Sequence, residues 1–152
     1  MPEPELLILD EPTSGLDPIV RREFIQTVIG AYQSGGDTAR TIFVSTHLIS
    51  EFEGLIDEFT IIEQGRELLT MAADAARERF RKIQVRFPDV PPLLDLSGAL
   101  QVRQEGRELE LLVNGGAERL VELLRANSAE IVRSESLSLE EIFLASGALP
   151  RN

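Results

Sequence analysis

Leu6 to Pro18 reads LLILDEPTSGLDP, and this stretch decides the fold. Four apolar residues run straight into Asp10 and Glu11, then a Thr-Ser-Gly turn and a second aspartate, Asp17. A short continuous apolar run is the pattern of a strand buried on both faces of a parallel sheet. Asp17-Pro18 reads as a helix N-cap followed by proline at the first helical position. A strand ending in a carboxylate places that group at the carboxyl edge of the sheet, where open α/β sheets keep their ligand crevices. Successive side chains leave a strand in opposite directions, so Asp10 and Glu11 cannot share one task. One carboxylate can hold a magnesium ion, which prefers hard oxygen ligands and keeps most of its waters. The other can orient or deprotonate a water for in-line attack on a phosphate. Taken alone, the pair is equally an ordinary strand end followed by an Asx-type turn.

Working outward, the helix opened by Asp17 runs to about Gln33, with Val20, Phe24, Ile25, Val28 and Ile29 at helical spacing. Ser34-Gly35-Gly36-Asp37 stops it, and Thr41–Ser45 (TIFVS) reads as a second β-branched strand. A short helix is expected near Ser50–Ile56. A hairpin follows, Phe59–Glu63 and Arg66–Met71 about a Gln64-Gly65 turn. Alternating apolar strands and helices predict βαβ units on a parallel sheet.

After Met71 the style changes. Residues 72–80 read as a helix, and Lys82–Phe87 (KIQVRF) alternates polar and apolar, so one of its faces is expected to be wet. Pro88, Pro91 and Pro92 make a loop. A hairpin about Glu105-Gly106, an amphipathic helix over Gly115–Asn127 and a strand at Glu130–Arg133 follow. Ser138 and Glu141 are placed as a capping box for a last helix to about Ala145. The expected division is residues 1–71, a connecting helix at 72–80, and a small α+β module at 81–152.

Composition sets limits on function. The 152 residues carry a net charge of −11, which argues against nucleic acid as a partner. There is no cysteine, so disulfides and thiolate metal sites are excluded. No apolar run reaches the roughly 18 residues needed to cross a bilayer, and the sequence reads as soluble and cytoplasmic. The charge is uneven. Residues 1–70 hold 13 acids against four arginines, a balance of −9, whereas residues 71–152 hold 13 acids against 11 bases.

Residue for residue, LLILDEPTSGLDP resembles the Walker B segment and D-loop of ATP-binding cassette (ABC) ATPases. Thirty residues after Asp17, TIFVSTH (41–47) is similar to the family's switch strand with its histidine, and His47 is the only histidine in the chain. The resemblance implies a partial P-loop NTPase (RecA-like) parallel sheet core followed by an α+β accessory domain. It implies that Asp10 holds magnesium through water, that Glu11 polarises the attacking water, and that His47 contacts the γ-phosphate of ATP. It implies also that Ser14, Gly15, Leu16 and Asp17 form the D-loop, which lies across the interface between two ATPase subunits. The element order from 72 to 146, with its closing SLEEIFL (138–144), resembles the accessory domain of bacterial ABC exporter subunits. The implied role is the ATPase subunit of an ABC transporter, peripheral to the inner face of the membrane through a permease. A non-transport ABC ATPase of DNA repair or translation, or a non-catalytic interaction fragment, are the alternatives.

The chain departs from the family in what it lacks. A P-loop needs Gly-x-x-x-x-Gly-Lys-Ser/Thr, because backbone N–H groups and a lysine must cradle the phosphates. The only lysine is Lys82, preceded by Arg81. Gly30 and Gly35 have the glycine spacing, but Gly36 stands where lysine is required. The stretch Gln33-Ser34-Gly35-Gly36-Asp37 superficially resembles the LSGGQ signature, but it follows Walker B and leads into a strand, so it reads as a helix-ending loop. The family's Q-loop is missing too. The expectation is therefore a fragment or truncated gene product that binds ATP–magnesium weakly alone, and whose uncovered sheet either self-associates or rearranges.

Overall fold

A computed structural model describes residues 5–33 and 40–147. The glycine-rich stretch at 34–37, expected to end the first helix, lies outside the described residues. Backbone contacts divide the chain into two compact units, Met1–Glu51 and Phe52–Asn152.

The first unit is a βαβ crossover. Strand β1 (Leu6–Asp10) pairs in parallel with β2 (Thr41–Ser45), in a register that runs from Leu6 opposite Thr41 to Asp10 opposite Ser45. Parallel neighbours need a long connection, and helix α1 (Pro18–Gln33) supplies it. Asp17 starts α1 as expected: its Oδ1 accepts the N–H groups of Ile19 (3.0 Å) and Val20 (3.2 Å). Phe24, Ile25, Val28 and Ile29 are half-buried along one side, but Val20 is exposed.

The expected burial of β1 on both faces is not what the structure has. Ile8 is 66% exposed and its cross-strand partner Phe43 55%, with Leu6 also in the open. The reason is strand number. A fully buried strand needs strands on both sides and layers on both faces, and among the described residues this sheet has two strands. The sheet keeps its parallel pairing and leaves one apolar face bare, rather than rearranging.

The second unit begins at the end of a short helix, α2 (Ile49–Phe52), which is one turn long where the sequence suggested two. The hairpin of β3 (Glu58–Glu63) and β4 (Arg66–Ala72) forms its own two-stranded sheet. Helix α3 (Ala73–Arg79) leads directly into β5 (Phe80–Arg86). Strands β6 (Ala99–Glu105) and β7 (Glu108–Asn114), helix α4 (Ala117–Ala126), strand β8 (Glu130–Ser136) and helix α5 (Leu139–Ser146) complete the unit. The four strands form one antiparallel sheet in the order β6-β7-β5-β8.

Here the alternation of KIQVRF does what was expected of it. Ile83, Val85 and Phe87 turn inward to a core with Leu109, Leu111, Val113, Leu120 and Leu124. Between them, Gln84 donates to Glu110 (2.8 Å) and Arg86 pairs with Glu108 (2.7 Å). Helix α4 starts two residues later than the sequence suggested. Gly115 and Gly116 both take left-handed backbone, φ 79° and 69°, which turns the chain off β7 before the helix can begin. Strand β8 runs three residues past its apolar part, because its backbone ladder to β5 continues to Ser136 opposite Arg81. The Ser138–Glu141 capping box is formed, with Glu141 N–H on Ser138 Oγ at 3.2 Å and Ser138 N–H on Glu141 Oε2 at 2.9 Å.

Candidate functional site

Because β1 and β2 are parallel and in register, their carboxyl ends bring residues 10–11 beside residues 45–47. The chain leaves β1 sharply. Glu11 has φ 44°, left-handed backbone that disfavours any residue with a Cβ by about 1–2 kcal/mol. Its own N–H still donates to Ser45 O at 2.7 Å, adding one more rung to the sheet. The bend carries the Glu11 side chain across to the end of β2.

There both carboxylate oxygens are used. Oε1 accepts the His47 N–H at 3.0 Å and lies 2.8 Å from His47 Nδ1. Oε2 accepts the Thr46 hydroxyl at 3.1 Å, and Thr46 Oγ1 in turn accepts the Leu48 N–H at 3.0 Å. The ring bond from His47 is the largest influence holding the Glu11 carboxyl below its ordinary value. Partial burial opposes it, and the bonds from Thr46 and the His47 amide add to it. Glu11 is therefore an anion at neutral pH. An ionised carboxylate only accepts, so Nδ1 must carry the proton in this pair. The ring remains open to solvent, with the His47 side chain 69% exposed.

Asp10 is set apart from this cluster. Its carboxylate is exposed and accepts no hydrogen bond from a described residue. No group of three or more His, Cys, Asp or Glu able to hold a metal occurs among the described residues. A single open carboxylate does suit an ion that keeps most of its own waters.

Of the four residues expected to form the D-loop, two are spent on local structure. Asp17 caps α1, and the Leu16 carbonyl accepts Arg21 Nη2 at 3.1 Å. Ser14 and Gly15 form the exposed tip; Ser14 N–H closes the turn onto Glu11 O at 3.1 Å, and Gly15 takes φ 76°. Four residues not singled out from sequence hold this region. Thr46 fixes Glu11, and Thr13, Arg21 and Glu51 tie the loop together. Their only signal in sequence is adjacency, since Thr13 and Thr46 lie inside the two quoted motifs and Glu51 falls one helical turn after His47.

No protein-family model matches the chain. Curated relatives do. The bacitracin transport ATP-binding protein of Bacillus licheniformis is 43% identical over 79 residues, covering 52% of this chain and 25% of the relative. A fluoroquinolones export ATP-binding protein of Mycobacterium tuberculosis is 31% identical over 148 residues, covering 93% of this chain and 43% of the relative. These matches show a partial ABC ATPase domain. An ABC transporter ATP-binding protein of Bacillus subtilis, 24% identical over 143 residues, also spans 93% of this chain and 48% of its own length. The chain thus covers less than half the length of each of these three relatives. The family's mixed α/β fold agrees with the parallel and antiparallel sheets seen here. Matches spanning 93% of the chain extend into both compact units.

Proposed function

We propose that this chain supplies the metal-and-water side of the ATP site in the ATPase subunit of an ABC exporter. The observation that carries it is the Glu11–His47 pair: an ionised carboxylate and a ring nitrogen held together at the carboxyl ends of two parallel strands. In this reading Glu11 is the base side of the site. Oε1 accepts two hydrogen bonds from His47, but Oε2 accepts only that of Thr46 and keeps a second lone pair for the attacking water. His47, fixed through Nδ1, has Nε2 left to face the terminal phosphate, to which it donates when both ring nitrogens carry protons. Asp10 would hold magnesium through water, and the ion supplies charge neutralisation to the phosphates when bound. Ser14 and Gly15 would present the loop 14–17 to a second ATPase subunit.

The 152 residues contain no Gly-x-x-x-x-Gly-Lys-Ser/Thr. The phosphate cradle must then come from another segment, and this chain alone holds acids where a triphosphate would need cations. A permease partner, cytoplasmic placement against the membrane, and the α+β accessory role of residues 81–152 belong to the same proposal. The relatives' functional descriptions support the transporter reading over DNA repair or translation. No described helix is long and apolar enough to cross a membrane.

The test is reconstitution. Joining a segment that carries a Gly-x-x-x-x-Gly-Lys-Ser/Thr P-loop ahead of residue 1 should yield magnesium-dependent ATP hydrolysis. Glu11→Gln should then lower the rate by roughly 100-fold or more. A fused protein whose Glu11→Gln variant hydrolyses ATP as fast as its parent would overturn the role of Glu11.

A further inference from the structure

Glu51 lies in α2, one turn beyond His47, and neither of its oxygens is spare. Oε2 accepts the Thr13 hydroxyl at 2.9 Å, and Oε1 pairs with Arg21 Nη1 at 2.5 Å. Arg21 Nη2 continues to the Leu16 carbonyl at 3.1 Å. Thr13 is completely buried, so its hydroxyl depends on that carboxylate for satisfaction. Arg21 Nε is buried without a partner among the described residues, which leaves the guanidinium held by its two outer nitrogens. One carboxylate therefore ties the 13–17 loop, directly and through Arg21, to the segment that carries His47.

The opposite side of that segment is tied as well. Glu11 N–H bonds Ser45 O, and Thr46 bonds the Glu11 carboxylate. His47 sits between these two anchors, on a three-residue connection from β2 to α2. If the Glu51 anchor is cut, a buried hydroxyl and a guanidinium lose their acceptor, and the connection can relax away from Glu11. We propose that Glu51 is a positioning residue, whose ties to Thr13 and Arg21 hold the His47 ring on the Glu11 carboxylate. The loop that would meet a second subunit is thereby coupled to the pair that would act on water. This deepens the function proposed above and rests on it for meaning.

The test needs no nucleotide, so its failure and the failure of the ATPase reading are separable. His47 is the only histidine, and ring 15N shifts of the labelled 152-residue chain near pH 8, where a histidine is ordinarily neutral, report which nitrogen holds the proton. The parent should show Nδ1–H and a His47 amide protected from exchange. Thr13→Val and Glu51→Gln should lose the preference for Nδ1–H and the amide protection. Thr13→Ser, which keeps the hydroxyl, should retain both. Folded Thr13→Val and Glu51→Gln variants that keep the parent's tautomer and protection would overturn the proposal. Should Glu51→Gln lose its fold, the Thr13→Val and Thr13→Ser pair decides. Should both disruptive variants unfold, Arg21→Lys, which keeps the charge but gives up the fork to Leu16, decides on the same readout.

Discussion

The β1–β2 sheet and the four-stranded sheet are built from equally apolar material and end in opposite conditions. LLILD and TIFVS carry more consecutive apolar residues than KIQVRF, yet Ile8 and Phe43 lie open while Ile83 and Val85 are buried. Alternation brings its own environment. A strand that is apolar on one face and polar on the other needs one covering layer, and α4 with the loop residues Leu94 and Leu96 provides it. A strand apolar on both faces depends on layers contributed by other segments. Burial is thus a property of the company a strand keeps, which its own residues do not determine.

That contrast can be broken by mutation. Ile83→Ala or Leu111→Ala should destabilise the second unit by about 2–5 kcal/mol, measured by denaturant unfolding. At dilutions where copies do not associate, Ile8→Ala should cost less than about 0.5 kcal/mol, because an exposed side chain leaves no cavity. Equal losses at residues 8 and 83 would show that the β1 face is covered in solution. The same face should draw copies of the chain together. Light scattering is expected to show concentration-dependent association that Ile8→Ser with Phe43→Ser diminishes, and a monodisperse parent monomer would contradict it.

A smaller effect is expected at the start of α5. Ser138→Ala removes one side of the capping box and should cost about 1 kcal/mol. The smallest is a pH dependence in the same unit. Burial pushes the Glu141 carboxyl up, but its bonds from Lys82 and Ser138 outweigh this, and the net shift is downward from 4.5. A lowered folded pKa means that the unfolded chain takes up the proton first. The stabilising contribution is complete above the ordinary carboxylate value and is lost as pH falls through the folded one. Glu141→Gln should therefore flatten the acid limb of the stability curve, while a parallel loss at every pH would point to packing alone.

How much of this was legible in sequence differs between the same two regions. The crossover of β1, α1 and β2 could be read because the Asp17-Pro18 start lies between two short apolar runs, which leaves few alternatives. The inward residues of β5 could be read from period two alone. The bare face of β1 could not, since nothing in LLIL says how many strands will flank it. Glu11 and His47 were legible as members of motifs, but the bond between them depends on a left-handed glutamate that no residue type announces. Thr13 and Glu51 are 38 positions apart, and they meet because the parallel pairing of β1 and β2 brings the segments beyond their carboxyl ends together.

The most direct measurement is calorimetric titration of the 152-residue chain with ATP and magnesium. The first region holds Asp10, Glu11 and His47 at one sheet edge without the lysine and amides that neutralise a triphosphate. Binding weaker than about millimolar is expected, unchanged by Glu11→Gln. Micromolar affinity that Asp10→Asn abolishes would contradict it, since the metal side would then suffice to hold the nucleotide without a P-loop.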